Sequence, residues 1–127
     1  MRTATTVARM LVRATGAIQI VLGVLFWTDT ATGLISLHKL IGFVLVLSLW
    51  TLAFLAARAG VSPGLVALAV VWGLVTPVLG FTQDRLLTGS AHWVIEVLHL
   101  LVGLGAIAQA EGLARRILAR GAPALQP

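Results

Sequence analysis

The sequence contains no cysteine in its 127 residues. Disulfide bonds, thiolate metal sites and thiol nucleophiles are therefore excluded. Charged residues are also scarce, since only 10% of the chain is Asp, Glu, Lys or Arg and only four residues are acids. The sequence has no glycine-rich nucleotide loop and no Ser/His/Asp set. These absences argue against a soluble enzyme and leave open whether the protein is an enzyme at all.

Apolar residues, in contrast, dominate the chain. They make up 59% of it, and the mean hydropathy is +1.03. A soluble domain of this size lacks the polar surface to cover so much apolar matter. Four stretches with few charges are each close to the ~20 residues that cross ~30 Å of hydrocarbon. They lie at about 8–27, 34–57, 64–82 and 91–111. We therefore expect one all-α integral membrane domain over 1–127, a bundle of four helices.

The distribution of basic residues predicts the orientation of this bundle. Short connections between the stretches favour an up-down-up-down arrangement. Seven of the nine basic residues then lie at the end that carries both termini, and only Lys39 and Arg85 lie at the other end. By the positive-inside rule, the termini are expected in the cytoplasm and the 28–36 and 83–90 loops outside. The net charge of +5 is explained by this topology, not by nucleic acid. We expect a multi-pass protein of a bacterial inner membrane, with a frayed tail at 122–127.

A signal peptide and a small multidrug transporter are both disfavoured as interpretations of the apolar stretches. The first 27 residues have the basic start of a secretory signal, but their apolar run is long and no small-x-small cleavage site precedes Asp29. Small multidrug transporters of dual topology also have four helices and roughly this length. They lack a strong basic asymmetry and carry an essential carboxylate in the first span, where this chain has Gln19 and no acid.

The two halves of the chain repeat a pattern. "LHKLIG" at 37–42 and "LHLLVG" at 98–103 each place a histidine near the start of an apolar run, with a glycine four residues later. The preceding stretch in each half carries small and polar residues at i, i+3 and i+7, which share one helix face. These stripes are Gly16/Gln19/Gly23 and Gly73/Thr76/Gly80. The pattern indicates duplicated hairpins, 8–57 and 64–111, related by an axis along the membrane normal.

Ionisable side chains within a spanning helix are costly and are functional candidates by default. Here they are His38, His92, Glu96 and His99, all in the half of the membrane expected to be outer. His92, Glu96 and His99 fall within an arc of about 60° on one helix face. Because the second and fourth helices lie diagonally across such a bundle, His38 and His99 could ligate the two sides of one flat macrocycle. Glycines of the other two helices would leave room for its rings: Gly16, Gly23, Gly73 and Gly80.

The same residues are also compatible with roles that involve no macrocycle. The glycines could simply let helix backbones approach each other, His92 could contact lipid headgroups, and Glu96 could bond to a neighbouring helix. The three histidines and Glu96 could instead bind a bare transition-metal ion such as Zn, Cu or Fe. Alternatively, the protein could be a non-catalytic subunit or scaffold of a larger membrane complex, or a homo-oligomer, with the histidines joining helices.

One stretch resembles a known family. "IEVLHLLVG" at 95–103 is similar to the Glu-x-x-His stretch of haem A synthases, in which each four-helix half presents histidines from two helices to a haem. "LHKLIG" is similar to the same pattern, with lysine where that family usually has arginine. More loosely, the design resembles b-type cytochromes of the b561 kind. This chain has the length of one half of a haem A synthase, and its three histidines allow one bis-imidazole site.

The resemblance implies a membrane electron carrier with one haem b in the outer half of the bundle. His38 and His99 would be its axial ligands, and Lys39, Arg85 and His92 are the residues that could meet the propionates. Glu96 would accept a proton or orient an imidazole. Gln19, at about the depth of His99, and Thr76 are expected beside the site. A quinol or a membrane redox partner would donate the electrons.

Overall fold

The fold consists of four long helices joined by short connections. The computed structural model describes residues 1–121 of the protein, and over this range it contains helices and no strand. The helices are α1 (Arg2–Trp27), α2 (Ile35–Arg58), α3 (Pro63–Thr82) and α4 (Trp93–Arg120). All four are long and apolar enough to cross a membrane. The predicted all-α, membrane-spanning bundle is confirmed, while the tail at 122–127 lies outside the described residues.

The four helices pack with α2 and α4 on the short diagonal of the bundle. Each of these two helices contacts all three others. Within the described part of the chain, the backbones of α1 and α3 do not contact each other. Because short connections make successive helices antiparallel, Met1, the 59–62 connection and Gly121 share one end, which we call the termini end. We call the other end, with the 28–34 and 83–92 connections, the cavity end.

The half of the bundle nearest the termini end is closely packed. Its interior combines small and large apolar side chains, since alanines allow the helices to approach and leucines fill the space between them. The fully buried members include Val12, Leu49, Leu52, Ala56, Ala69, Ala106 and Ala114. This half holds the bundle together and leaves the other half free to form a cavity.

The 59–62 connection at the termini end is a tight turn that depends on one glycine. Gly60 adopts a positive φ of 74°, which an L side chain rarely tolerates. This conformation lets the backbone N–H of Val61 donate to the carbonyl of Ala56 at 2.9 Å, which satisfies a free carbonyl at the end of α2. Pro63 then begins α3, a position where its missing N–H costs nothing.

Glu111 joins α1 to α4 near the termini end. Its carboxylate accepts two hydrogen bonds from Arg9, at 2.9 and 2.7 Å, and two from Arg13, at 2.6 and 3.0 Å. The two arginines are one helical turn apart, so both guanidinium groups reach the same carboxylate. No pattern in the sequence indicates this structural role of Glu111.

Replacing Glu111 by glutamine is expected to lower the stability of the bundle by about 1.5–3 kcal/mol, because hydrogen bonds to a charged group are lost. Thermal unfolding followed by circular dichroism in detergent would measure the change. Asp29→Asn is the matched control, since it removes the same charge from an exposed connection. Equal melting temperatures for the two variants would contradict the assigned role of Glu111.

Candidate functional site: the cavity between His38 and His99

A cavity of about 240 Å³ lies between the four helices at the cavity end. Its walls are the C-terminal halves of α1 and α3 and the N-terminal halves of α2 and α4. The lining is mostly apolar with a few polar side chains, as is usual for ligand pockets. The volume is just below the ~300–1,000 Å³ typical of such pockets, and the cavity is partly open to the surface.

His38 on α2 and His99 on α4 both line this cavity. The centroids of their rings are 6.3 Å apart, and the ring planes are inclined by 54°. When two imidazoles bind one ion from opposite sides, each metal–nitrogen bond is about 2.0–2.1 Å, and each ring centre lies about 1.1 Å beyond its nitrogen. The two ring centres are then about 6.3 Å apart. The observed separation of the ring centres matches this distance.

The nitrogen atoms of both rings lack partners. Across residues 1–121, Nδ1 of His38 and Nδ1 of His99 are fully buried without a hydrogen bond. Nε2 of each ring also has no hydrogen bond, but it is not among these enclosed atoms and so remains accessible. Buried polar atoms in native proteins nearly always have a partner. Each ring therefore keeps one accessible nitrogen, Nε2, which a ligand in the cavity could reach.

Neighbouring side chains hold the two rings in place. The ring of Phe26 meets His38 edge-on, with centroids 5.2 Å apart, at the end of α1. Gly80 on α3 lies against His99, since a Cβ at this position would be only 3.0 Å from Cε1 of the imidazole. A side chain at residue 80 would therefore force the ring of His99 to shift.

The glycine stripes are only partly as expected. Gly16, Gly23 and Gly80 line the cavity. A Cβ on Gly23 would meet nothing within 4 Å, whereas Gly16 is covered by the side chain of Ile107. Gly73 is not part of this lining, and its role in making room for a macrocycle stays a prediction. It lies against the indole of Trp50, which donates a hydrogen bond to the carbonyl of Val70 at 3.2 Å.

Gly73 therefore serves helix packing, and Gly73→Ala is expected to destabilise the bundle. The new methyl group would collide with the indole of Trp50, and overpacking of this kind costs about 1–3 kcal/mol. The melting temperature in detergent should fall, while any ligand of the cavity should still bind to the folded fraction. Gly64→Ala in the same helix is the control, since a Cβ there meets nothing within 4 Å. A stable Gly73→Ala protein would refute this packing role.

Two of the polar residues expected beside the site do line the cavity. Gly42 lies one turn along α2 from His38, and the side-chain nitrogen of Gln19 lies against it. A Cβ on Gly42 would be only 2.6 Å from this nitrogen. Its Oε1 atom is buried and has no partner among the described residues. The hydroxyl of Thr76 donates to the carbonyl of Trp72 at 2.9 Å, so its proton is already used within α3.

Glu96 also lines the cavity, next to the end of α1. The indole N–H of Trp27 donates to its carboxylate at 2.6 Å. This bond ties α1 to α4 and fixes the carboxylate one turn before His99. Glu96 is thus oriented by an indole, a partner that the sequence pattern did not indicate.

The remaining candidate residues lie apart from the two rings. His92 precedes α4, and its Nδ1 is 3.2 Å from the carbonyl of Leu86, away from the cavity lining. In the part of the chain that the structure describes, no three His, Cys, Asp or Glu side chains form a group that could hold a metal ion. Arg85 is exposed in the connection between α3 and α4 and is not part of the lining. Its contact with a propionate stays a prediction.

Lys39 lies at the edge of the cavity, where its ammonium is 5.3 Å from the centre of the Phe81 ring. Among the described residues of the lining, it is the only lysine or arginine. Asp84, which no sequence pattern indicates, belongs to the same lining. The cavity therefore offers one cation and two carboxylates, those of Asp84 and Glu96, around its histidine pair.

Comparison of the sequence with protein-family models and curated proteins, and of the fold with solved structures, found no match. What the cavity binds must therefore be inferred from the residues that line it.

Proposed function

We propose that the protein is a haem-binding electron-transfer protein of a bacterial inner membrane, with one haem b between His38 and His99. The separation of 6.3 Å between the two ring centroids carries this proposal. Both imidazoles lack hydrogen bonds among the described residues, and an iron ion between them would use a nitrogen lone pair of each ring. Both are half-buried ionisable side chains in membrane-spanning helices, and such residues are functional candidates by default.

The rest of the lining fits a flat macrocycle. In the described chain, the backbones of α1 and α3 do not contact each other. These two helices therefore do not close the space on either side of the histidine pair. Gly23 on α1 and Gly80 on α3 line these two sides. A haem is larger than the cavity volume of about 240 Å³, so its propionate edge would extend through the open side. Lys39 is the cation that would pair with a propionate there.

Bound haem supplies reversible one-electron transfer at its iron, with a potential that depends on axial ligands and burial. The basic termini end is expected in the cytoplasm, so the cavity lies in the outer half of the membrane. A quinol or a membrane redox partner would reach the open side and deliver electrons. Glu96, held by Trp27, is placed to accept a proton that such a donor releases.

Cofactor analysis of the protein, purified in detergent from haem-replete cells, tests this proposal. We expect one haem b per chain by the pyridine haemochrome assay and a sharp α-band after reduction. Elemental analysis of the same sample separates the alternatives. A bound transition metal without porphyrin would favour a bare metal site instead. A colourless, metal-free protein would contradict the proposal and favour a subunit or scaffold of a larger complex.

A further inference from the structure

The two repeated hairpins differ in how their glycines are covered. Each hairpin contributes glycines to the cavity lining at matching positions of the repeat. Gly23 on α1 matches Gly80 on α3, and Gly42 on α2 matches Gly103 on α4. In each matched pair, a side chain packs against one glycine, while a Cβ on the other would meet no described atom within 4 Å. The cavity is therefore less symmetric than the sequence repeat.

Gly80 and Gly42 are the covered members of the two pairs. A Cβ on Gly80 would be 3.0 Å from Cε1 of His99. A Cβ on Gly42 would be 2.6 Å from the side-chain nitrogen of Gln19. Contacts this short leave no room for another group beside either glycine. The protein itself fills the cavity wall at these two positions.

Gly23 is uncovered because the histidine of its hairpin packs against another residue. His38 is the counterpart of His99, but its ring meets that of Phe26 edge-on, with centroids 5.2 Å apart. A Cβ on Gly23 would meet no described atom within 4 Å. The backbone of α1 is therefore uncovered at this point of the cavity wall.

Gly103 is uncovered because its hairpin has threonine where the first hairpin has glutamine. Gln19 covers Gly42 in the first hairpin. Its counterpart Thr76 has a shorter side chain, whose hydroxyl donates to the carbonyl of Trp72 at 2.9 Å. A Cβ on Gly103 would meet no described atom within 4 Å. The backbone of α4 is thus also uncovered where it lines the cavity.

We propose that Gly23 and Gly103 are binding residues of the cavity, against whose uncovered backbones a flat macrocycle packs. Their role rests on the proposed function, because a ligand reaches both positions only if it extends well beyond its metal ion. A bare ion held between two imidazoles lies at the ring nitrogens. A macrocycle also needs wall area for its rings, and glycine allows the closest approach of a backbone to a ligand.

Two variants of the full-length protein, Gly23→Leu and Gly103→Leu, test this role. In protein purified in detergent from haem-replete cells, each is expected to lower haem content about tenfold, because the leucine occupies space that the macrocycle needs. The melting temperature of the same variants, purified from haem-depleted cells, should not fall. A leucine there enters open space, and leucine favours a helix more than glycine does. A purely structural role of the glycines would not separate these two measurements.

Gly64→Leu is the matched control. It makes the same change at a helical glycine where a Cβ also meets nothing within 4 Å, but which lies outside the cavity lining. Its haem content should equal that of the wild type. If Gly23→Leu and Gly103→Leu retained as much haem as this control, the role of the two glycines would be overturned while the proposed function stood. A lower melting temperature in both variants would also overturn it, because the two positions would then not be open.

The wild-type protein shows which of the two proposals fails. Wild-type protein that contains a transition metal without porphyrin would overturn the haem proposal and the role of the glycines together. In that case Gly103→Leu should keep the wild-type metal content by elemental analysis. Haem in the wild type, lost from both leucine variants but not from the control, is the result that we expect.

Discussion

Replacing either His38 or His99 by alanine is expected to weaken haem binding at least about a hundredfold. Even the outer partners of metal-bound histidines contribute about 10–100-fold, and an axial ligand contributes more. Each variant also leaves the opposite imidazole facing an empty half of the cavity. The haem content and the reduced α-band of the purified proteins measure the effect directly.

His92→Ala is the matched control for these two variants. It removes the third histidine of the chain, whose ring contacts the backbone of Leu86 and does not line the cavity. Its haem content should equal that of the wild type, and circular dichroism should show the same helix content in all three variants. Normal haem content in folded His38→Ala and His99→Ala proteins would contradict the assigned ligands.

The second large effect is expected from Gly80→Leu, which should lower haem content about tenfold without unfolding the bundle. A Cβ at residue 80 already lies 3.0 Å from His99, and the rest of the leucine side chain would displace this ring or fill the cavity. Overpacking costs about 1–3 kcal/mol, and about 1.4 kcal/mol corresponds to a tenfold change in affinity. Haem content per folded protein, taken from absorption and size-exclusion chromatography, gives the result.

Gly64→Leu separates this effect from the general cost of changing a glycine in α3. Residue 64 lies at the start of the same helix, outside the cavity lining, and a Cβ there meets nothing within 4 Å. This variant should bind haem normally. If Gly80→Leu bound as much haem as Gly64→Leu, the close contact between Gly80 and His99 would have no part in the site.

Hydropathy predicted every helix boundary within two residues except the start of α1 and the end of α4. The apolar stretches begin near 34 and 91, and α2 and α4 begin at Ile35 and Trp93. In contrast, α1 begins at residue 2, not 8, and α4 ends at 120, not 111. Threonine and arginine continue a helix without being apolar, so hydropathy does not reveal these ends. The bonds of Glu111 join residues 102 and 98 positions apart, which a local pattern cannot show.

The helical period accounts for what could be predicted of the site. It fixes which residues share a face, and together with short connections it predicts that His38 and His99 meet across the bundle. The helical period does not fix which side chain of a neighbouring helix covers each glycine. Gly73 belongs to the same kind of stripe as Gly16, yet the indole of Trp50 covers it, because the direction of that side chain depends on its rotamer.

Residues at helix ends and in connections were the hardest to predict. His92 has the correct spacing to share a face with His99, but it precedes α4 and its ring reaches back to Leu86. Asp84 lies in a short turn between α3 and α4, where no periodic pattern indicates the direction of a side chain. The bond between Trp27 and Glu96 joins residues 69 positions apart and is visible only in the folded chain.

Low-temperature electron paramagnetic resonance of the oxidised protein, purified from haem-replete cells, tests most directly whether His38 and His99 ligate one iron from opposite sides. Two axial imidazoles produce a low-spin ferric haem, and we predict this signal for the wild-type protein. The residual haem of His99→Ala should instead be high-spin, because one axial ligand is missing. Wild-type protein with only high-spin haem, or with none, would contradict the account.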